Sequence, residues 1–87
     1  MLRLTWTENA LDDLDWWQQH DARMLKRIIR LCLEICKNPV KGMGKPEPLR
    51  FDLQGYWSRR INQEHRIIYA FDDNQVTITQ CRFHYQK

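Results

Sequence analysis

Long apolar runs are absent from this 87-residue sequence, and none approaches the roughly 18 residues that a membrane-spanning helix requires. Linkers, internal repeats and low-complexity segments are also absent. The N-terminal stretch is too short, and too polar after its first residues, to be a signal peptide. We therefore expect one cytoplasmic domain over residues 1–87, because a chain of this length can enclose a single core.

Cysteine is scarce, and its spacing does not indicate a metal site. Cys32 and Cys36 are one helical turn apart, but no second pair of ligands follows at the spacing that zinc sites use. Free cysteine otherwise behaves as a small apolar side chain. We expect Cys32 and Cys36 to pack in the core, and we expect no metal and no other cofactor.

Charge is distributed unevenly along the chain, although the net charge is only +3, from 14 basic and 11 acidic residues. Through Asp21 the acidic side chains dominate, with Arg3 as the single Lys or Arg, whereas the chain is basic from Arg23 onward. This asymmetry favours a basic surface that binds a polyanion or an acidic partner. An ordinary solvated surface is the alternative.

Helical periodicity dominates the first half of the chain. Before it, residues 2–6 alternate with period two and predict a short strand. Thr7 can cap a first helix over residues 8–19, and Asp21 can cap a second over residues 22–37 that an Asn-Pro pair ends. The positions expected to face the core are Leu11, Leu14, Trp17 or Gln18, Leu25, Ile28, Ile29, Cys32, Ile35 and Cys36. The wet face of the second helix should carry Arg23, Lys26, Arg27, Arg30 and Lys37.

The second half of the chain has the composition and alternation of strands. The candidate strands are residues 49–53, 56–62, 66–71 and 76–83, with a hairpin turn at 72–74. This order of elements predicts an α+β domain. We expect the N-terminal strand to join an antiparallel sheet of three to four strands, with the helical hairpin covering one face. The other face stays available for solvent, a partner or a site.

Single acid and base groups lie among the arginines of this strand-rich half. Glu47 stands between two prolines, which fix the local backbone and would hold a general base stiffly. Arg60 and Arg66 lie on consecutive predicted strands, where two guanidiniums side by side would repel unless an anion lay between them. His84 is suited to proton transfer near neutral pH, and Tyr85 beside it can stack on a nucleobase.

Each of these residues also has an ordinary interpretation. Glu47 fits a surface-loop glutamate, and the arginines can pair with Glu64 or with the acidic first helix. Because adjacent strand residues point to opposite faces, only one of Arg59 and Arg60 can face a site on the open side. A lone terminal histidine is usually inert, and His65, in a predicted turn, is a weaker candidate still.

Four stretches together resemble the YoeB-type toxins of the RelE superfamily, small bacterial mRNA interferases of type II toxin–antitoxin systems. They are Gly42-Met43-Gly44-Lys45-Pro46-Glu47-Pro48-Leu49, Gly55-Tyr56-Trp57-Ser58-Arg59-Arg60-Ile61, Glu64-His65-Arg66 with Tyr69-Ala70, and Cys81-Arg82-Phe83-His84-Tyr85. The similarity runs essentially end to end. It implies the microbial RNase (RelE-like) fold and metal-independent cleavage of mRNA in the ribosomal A site.

The resemblance also implies a role for individual residues. Those with implied roles are Glu47 as general base, His84 as general acid, Arg66 as stabiliser of the phosphorane, Arg60 as a second phosphate contact, and Tyr85 and Arg50 as further RNA contacts. Arg50 falls where a lysine is also found in the family, so a forked donor replaces a point charge. Gln86 and Lys87 follow the His-Tyr pair at which family members often end.

The partners that the resemblance implies are mRNA on the ribosome and a cognate YefM-like antitoxin with an acidic segment that folds on binding. The family also suggests a homodimer. The alternative function is a non-catalytic RNA- or ribosome-binding protein that inhibits translation by occupancy.

Overall fold

A five-stranded mixed sheet, with two helices against one of its faces, forms the architecture of the computed structural model, which describes residues 1–83. The elements in chain order are β1 (Arg3–Trp6), α1 (Glu8–His20), α2 (Ala22–Lys37), β2 (Glu47–Pro48), a 3-10 turn (Phe51–Leu53), β3 (Trp57–Arg60), β4 (Arg66–Phe71) and β5 (Gln75–Gln80). The predicted α+β class and element order are confirmed. Within the described residues, no helix is long and apolar enough to span a membrane.

Both helices begin at the predicted residues, but only one of the two predicted caps forms. The Thr7 hydroxyl accepts the Ala10 N–H at 3.2 Å and caps α1. Asp21 occupies the N-cap position of α2, yet its side chain makes no capping hydrogen bond. A single residue separates the two helices, so the backbone of Asp21 also ends α1 by donating its N–H to the Trp17 carbonyl at 2.8 Å.

The sheet has the strand order β1-β5-β4-β3-β2. The three C-terminal strands form an antiparallel meander, as expected, and β1 joins this sheet by pairing with β5 in parallel. Parallel neighbours need a long connection, and here residues 7–74 supply it. The helical hairpin lies within that connection and covers one face of the sheet.

The predicted strand over residues 49–53 is wrong. Its place is taken by the two-residue strand β2, which pairs Glu47 with Ser58 and Pro48 with Trp57. The chain then enters the 3-10 turn, in which Phe51 has a positive φ of 58° and cannot continue an extended strand. The short β2 therefore forms the sheet edge and brings Glu47 beside the centre of β3.

The core fills the space between the helices and the covered face of the sheet. Its principal members are Ala10, Trp17, Ile28, Leu31, Cys32, Ile35, Ile67, Tyr69, Val76, Ile78 and Cys81. Two predicted core positions are wrong: Leu11 is 52% exposed and Ile29 is 40% exposed. In α1 the neighbouring Ala10 is buried instead of Leu11. In α2 Leu31 is buried in place of Ile29, whereas the predicted Ile28, Cys32, Ile35 and Cys36 are buried as expected.

All three cysteines are free and buried. Burial raises the pKa of the Cys81 thiol to about 12, and it also raises the pKa of Cys32 well above its ordinary value. Because the thiolate is the reactive form of cysteine, these side chains act as packing groups.

Arg59 is a charged residue inside this core, with no exposed surface. Its guanidinium contacts Glu34 Oε1 at 3.1 Å and donates to the carbonyls of Asn38, Lys41 and Met43. Its Nε also donates to the Tyr69 hydroxyl at 3.3 Å, and that hydroxyl donates to the Pro39 carbonyl. One buried side chain thus fastens the loop after α2 to the sheet. The carbonyls that accept from Arg59 belong to Asn38, Lys41 and Met43, and the Pro39 carbonyl is held by the Tyr69 hydroxyl.

Glycine is required at the point where this loop crosses the ion pair. Gly42 has φ 128°, and a Cβ atom there would lie 1.8 Å from Glu34 Oε1. The same carboxylate oxygen accepts the N–H of Met43. The loop can therefore lie against Glu34 and Arg59 only because position 42 carries no side chain.

Replacement of Arg59 tests whether this network holds the domain together. We expect Arg59→Met to lower the free energy of unfolding by roughly 3 kcal/mol, because it leaves buried carbonyls and a carboxylate without donors. Arg60→Met is the matched control, since Arg60 is exposed, and it should change stability by less than about 0.5 kcal/mol. Urea unfolding measures both. Equal stability of the two variants would contradict this account of Arg59.

Candidate functional site

The sheet face opposite the helices brings three of the predicted site residues to one side. Directly paired residues in a sheet point to the same face, and alternate residues along a strand do so as well. The registers pair Arg60 with Arg66, Ser58 with Ile68, and Glu47 with Ser58. Glu47, Arg60 and Arg66 therefore share this open face.

Arg60 and Arg66 are direct cross-strand partners on β3 and β4. The expectation that the two could be cross-strand neighbours is confirmed, as is the expectation that only one of Arg59 and Arg60 faces the open side. Two like charges at a directly opposed pair repel each other. The pair consequently favours an anion that both guanidiniums can contact, and the planar fork of arginine matches the oxygens of a phosphate.

The chain before Glu47 is held against the end of β3. The carbonyl of Gly44 accepts the Arg60 N–H at 2.7 Å, and a Cβ atom on Gly44 would lie 2.9 Å from the Arg60 carbonyl oxygen. Lys45 follows with a positive φ of 52°. This close approach directs the chain into β2, where Glu47 is exposed and available as a proton acceptor.

A concave pocket of about 330 Å³ continues the basic surface beyond Arg60. It is lined by Arg27, Gly44, Lys45, Arg60, Asn62 and Gln63. Arg27 was expected on the wet face of α2, but it is half-buried, and its Nε donates to the Ile61 carbonyl. That hydrogen bond positions a third cation beside Lys45 and Arg60, so the pocket is suited to a further anionic group.

Ser58 belongs to the open face and was missed by the sequence reasoning. It is fully buried, lies opposite Glu47, and its hydroxyl has no hydrogen-bond partner among residues 1–83. The signal was available, because a residue two before Arg60 on the same strand must share its face. Ser58 thus adds a hydroxyl between the carboxylate and the two arginines.

Arg50 is exposed and stands immediately before the 3-10 turn. Its carbonyl accepts the Leu53 N–H at 3.1 Å. In the described part of the chain, no hydrogen bond or ion pair joins its side chain to Glu47, Arg60 or Arg66. The structure therefore places Arg50 near the edge strand without bringing it into the arginine pair.

The segment after β5 leaves the sheet earlier than predicted, since β5 ends at Gln80. Two side chains of α1 hold the next residue: Asp13 accepts the Cys81 N–H at 2.9 Å, and the Trp17 indole donates to the Cys81 carbonyl at 2.8 Å. The Arg82 guanidinium lies 3.7 Å from the ring centroid of Trp16. The segment is thereby fastened to α1 as far as Arg82, whereas His84 and Tyr85 lie outside the described residues.

These features define a class: a RelE-like α+β fold with an N-terminal strand, two helices and a mixed five-stranded sheet. A family model described as the YoeB-like toxin of bacterial type II toxin–antitoxin systems matches residues 6–85. The chain belongs to this family.

Individual relatives agree with this assignment. Toxin YoeB of Synechocystis sp. is 49% identical over 86 residues, covering 99% of this chain and 100% of the relative. The YoeB dimer structure from Staphylococcus aureus superposes with a TM-score of 0.88 at 45% identity, covering 97% of this chain and 98% of that one. A YoeB–YefM complex from the same organism gives a TM-score of 0.86 at 43% identity, covering 98% and 99%.

Asp13 allows a test of how the C-terminal segment is held. Burial raises the pKa of Asp13 above its ordinary value of 3.8, despite the opposing effects of the Cys81 N–H and of Arg82. A folded-state pKa above the unfolded one means that the ionised carboxylate costs stability at neutral pH, and that this cost disappears as the pH falls through the folded-state pKa.

We expect Asp13→Asn, which keeps an acceptor oxygen for Cys81, to be at least as stable as the wild type at neutral pH. Its relative advantage should shrink as the pH is lowered toward 3.8. Unfolding free energies across this range measure the effect, with Asp15→Asn as an exposed control on the same helix. A variant that is less stable at neutral pH and matches the wild type in acid would show the opposite sign.

Proposed function

We propose that the chain is a ribosome-dependent endoribonuclease that cleaves mRNA in the A site and so inhibits translation in the bacterial cytoplasm. The observation that carries this proposal is the direct pairing of Arg60 with Arg66 on the face that also bears Glu47. A carboxylate beside two opposed guanidiniums is suited to a phosphodiester, because it combines a proton acceptor with donors for the phosphate oxygens.

The reaction begins at the ribose 2′-hydroxyl. Glu47 removes its proton, and the resulting oxygen attacks the adjacent phosphorus. Arg66 stabilises the extra negative charge on the phosphorane oxygens, as preorganised donors do in other active sites. The bond between phosphorus and the 5′-oxygen then breaks, and a general acid protonates that oxygen. The products are a 2′,3′-cyclic phosphate and a 5′-hydroxyl.

The general acid in this proposal is His84, a role that follows from the family resemblance. Imidazole is suited to this step because it exchanges protons near neutral pH. Tyr85 is the proposed aromatic contact to the RNA, and Arg50 is a proposed further contact at the edge of the site. The arginines supply the charge stabilisation, so this mechanism uses no metal ion.

Arg60 contacts a second phosphate oxygen or the neighbouring phosphate, and the adjacent pocket extends that contact. Arg27 and Lys45 lie with Arg60 around this pocket of about 330 Å³. Successive phosphates of a single strand fit a row of cations that tracks the backbone. The pocket therefore supports a path for the RNA beyond the cleaved bond.

The second candidate is a non-catalytic RNA- or ribosome-binding inhibitor. The same basic row supports it, since phosphate contacts alone give binding without cleavage. The two candidates differ in whether inhibition of translation requires the proton-transfer groups.

Substitution of the proposed catalytic groups separates these candidates. In a translation extract with mapped mRNA ends, Glu47→Gln should reduce cleavage about 10²- to 10⁴-fold, because it keeps the shape but loses the base. Arg66→Met should reduce cleavage by about 10²- to 10³-fold. His84→Ala should also fail to cleave, whereas Asp73→Asn, at the exposed turn between β4 and β5, should behave as the wild type.

Two outcomes of this experiment oppose the proposal. If Glu47→Gln and His84→Ala cleave as the wild type does, the assigned proton transfers are wrong. If translation stops while the mRNA stays intact, and if the same two variants still inhibit, the chain is an occupancy inhibitor.

We also propose that a YefM-like antitoxin neutralises this chain and that the chain alone forms a homodimer. YoeB structures from Staphylococcus aureus include a dimer and complexes with YefM. An acidic antitoxin segment would be attracted to the face that bears Arg60 and Arg66. Light scattering should give twice the monomer mass for the chain alone, and Arg60→Glu should weaken antitoxin binding. A monomeric mass at micromolar concentration would reject the homodimer. An unchanged affinity of Arg60→Glu for the antitoxin would reject the proposed antitoxin contact.

A further inference from the structure

Phe83 is the last described residue, and both its N–H and its carbonyl are hydrogen-bonded to residues at the start of β4, His65 and Arg66. Its N–H donates to His65 Nδ1 at 2.7 Å, and its carbonyl accepts the Arg66 N–H at 2.9 Å. Phe83 also has a positive φ of 63°, which is uncommon for a bulky residue. A backbone in this region costs free energy, so the two contacts must hold it there.

His65 itself is held in place by its surroundings. The Asn62 side-chain oxygen accepts the N–H groups of Glu64 and His65, and the His65 carbonyl accepts the Ile61 N–H at 2.9 Å. The His65 side chain is only 12% exposed, and its ring lies edge-on to Trp17 with the centroids 4.8 Å apart. The acceptor that meets Phe83 is therefore a fixed one.

The hydrogen bond defines the state of the ring. A histidine that accepts at Nδ1 is neutral and carries its proton on Nε2. Nε2 lies 3.9 Å from the carboxylate of Glu64. In this state the ring serves as a hydrogen-bond acceptor for the backbone of Phe83, so its effect on the site is exerted through that backbone.

We propose that His65 is a positioning residue that fixes the backbone immediately before His84. Consecutive Cα atoms lie about 3.8 Å apart, so holding Phe83 restricts the positions that the next residue can reach. The proposal rests on the proposed role of His84 as general acid. Misplacing a catalytic group by about 1 Å can cost about 100-fold in rate. The hydrogen bond from Phe83 to His65 can therefore affect the rate although His65 does not touch the RNA.

A pair of substitutions at His65 separates the hydrogen bond from the ring. His65→Asn keeps an acceptor oxygen at the position of Nδ1, whereas His65→Leu has a similar bulk and no acceptor. On programmed ribosomes we expect His65→Leu to lower kcat about 10- to 100-fold with little change in KM, and His65→Asn to recover most of that loss. His20→Leu is the control, because His20 stacks on Trp16 and its Nδ1 contacts the carbonyl of its own helix.

Amide exchange measures the contact without any cleavage. In a Glu47→Gln background, the Phe83 N–H should exchange slowly by NMR with His65 or with His65→Asn, and much faster with His65→Leu. Thermal unfolding of each variant shows whether the fold is intact. If His65→Leu unfolds, the His65→Asn variant still tests the proposal, because most of the wild-type activity and a protected Phe83 amide are then both required.

The proposal is overturned if a folded His65→Leu has wild-type kcat, or if its Phe83 amide stays protected. It is also overturned if His65→Asn protects that amide yet restores no activity. Should the wild type cleave no RNA, the proposed function fails, and the proposal that His65 positions a catalytic group fails with it. If the Phe83 amide is nevertheless protected in that wild type, the contact with His65 forms and only the proposed function has failed.

Discussion

The buried guanidinium of Arg59 is the interaction on which the rest of the structure depends. A charge inside a core is tolerated only when its donors are satisfied, and here a carboxylate, three carbonyls and a phenol oxygen accept them. Those carbonyls belong to the loop that leads to Glu47. The same strand alternation that buries Arg59 turns Arg60 to the open face, so Arg59 has a structural role and its neighbour Arg60 has the proposed role of a phosphate contact.

The hairpin of β3 and β4 connects the parts of the proposed site. It supplies the Arg60–Arg66 pair, it pairs with the edge strand that bears Glu47, and the residue before β4 holds the backbone of Phe83. The C-terminal segment is fastened independently to α1 through the backbone of Cys81. The edge strand that bears Glu47 and the backbone of Phe83, the residue before His84, are therefore both attached to this hairpin, although they lie far apart in the sequence.

Much of the fold was predictable because its signals are local. Helical periodicity located both helices, composition located β4, and the order of the predicted strands indicated that Arg60 and Arg66 could be neighbours. The strand predicted over residues 49–53 failed because a positive φ at Phe51 turns the chain, which composition does not reveal. The burial of Arg59 and the contact of His65 with Phe83 depend on partners distant in sequence, Glu34 among them, so no local pattern could predict them.

The central claim is that the open sheet face bearing Glu47, Arg60 and Arg66 cleaves RNA through the ribose 2′-hydroxyl. The most direct test uses ribosomes programmed with an mRNA whose A-site nucleotide, on the 5′ side of the cleaved bond, carries either ribose or 2′-deoxyribose. The account predicts cleavage of the ribose form alone, with a 2′,3′-cyclic phosphate at the new end. Equal cleavage of the two mRNAs would contradict it.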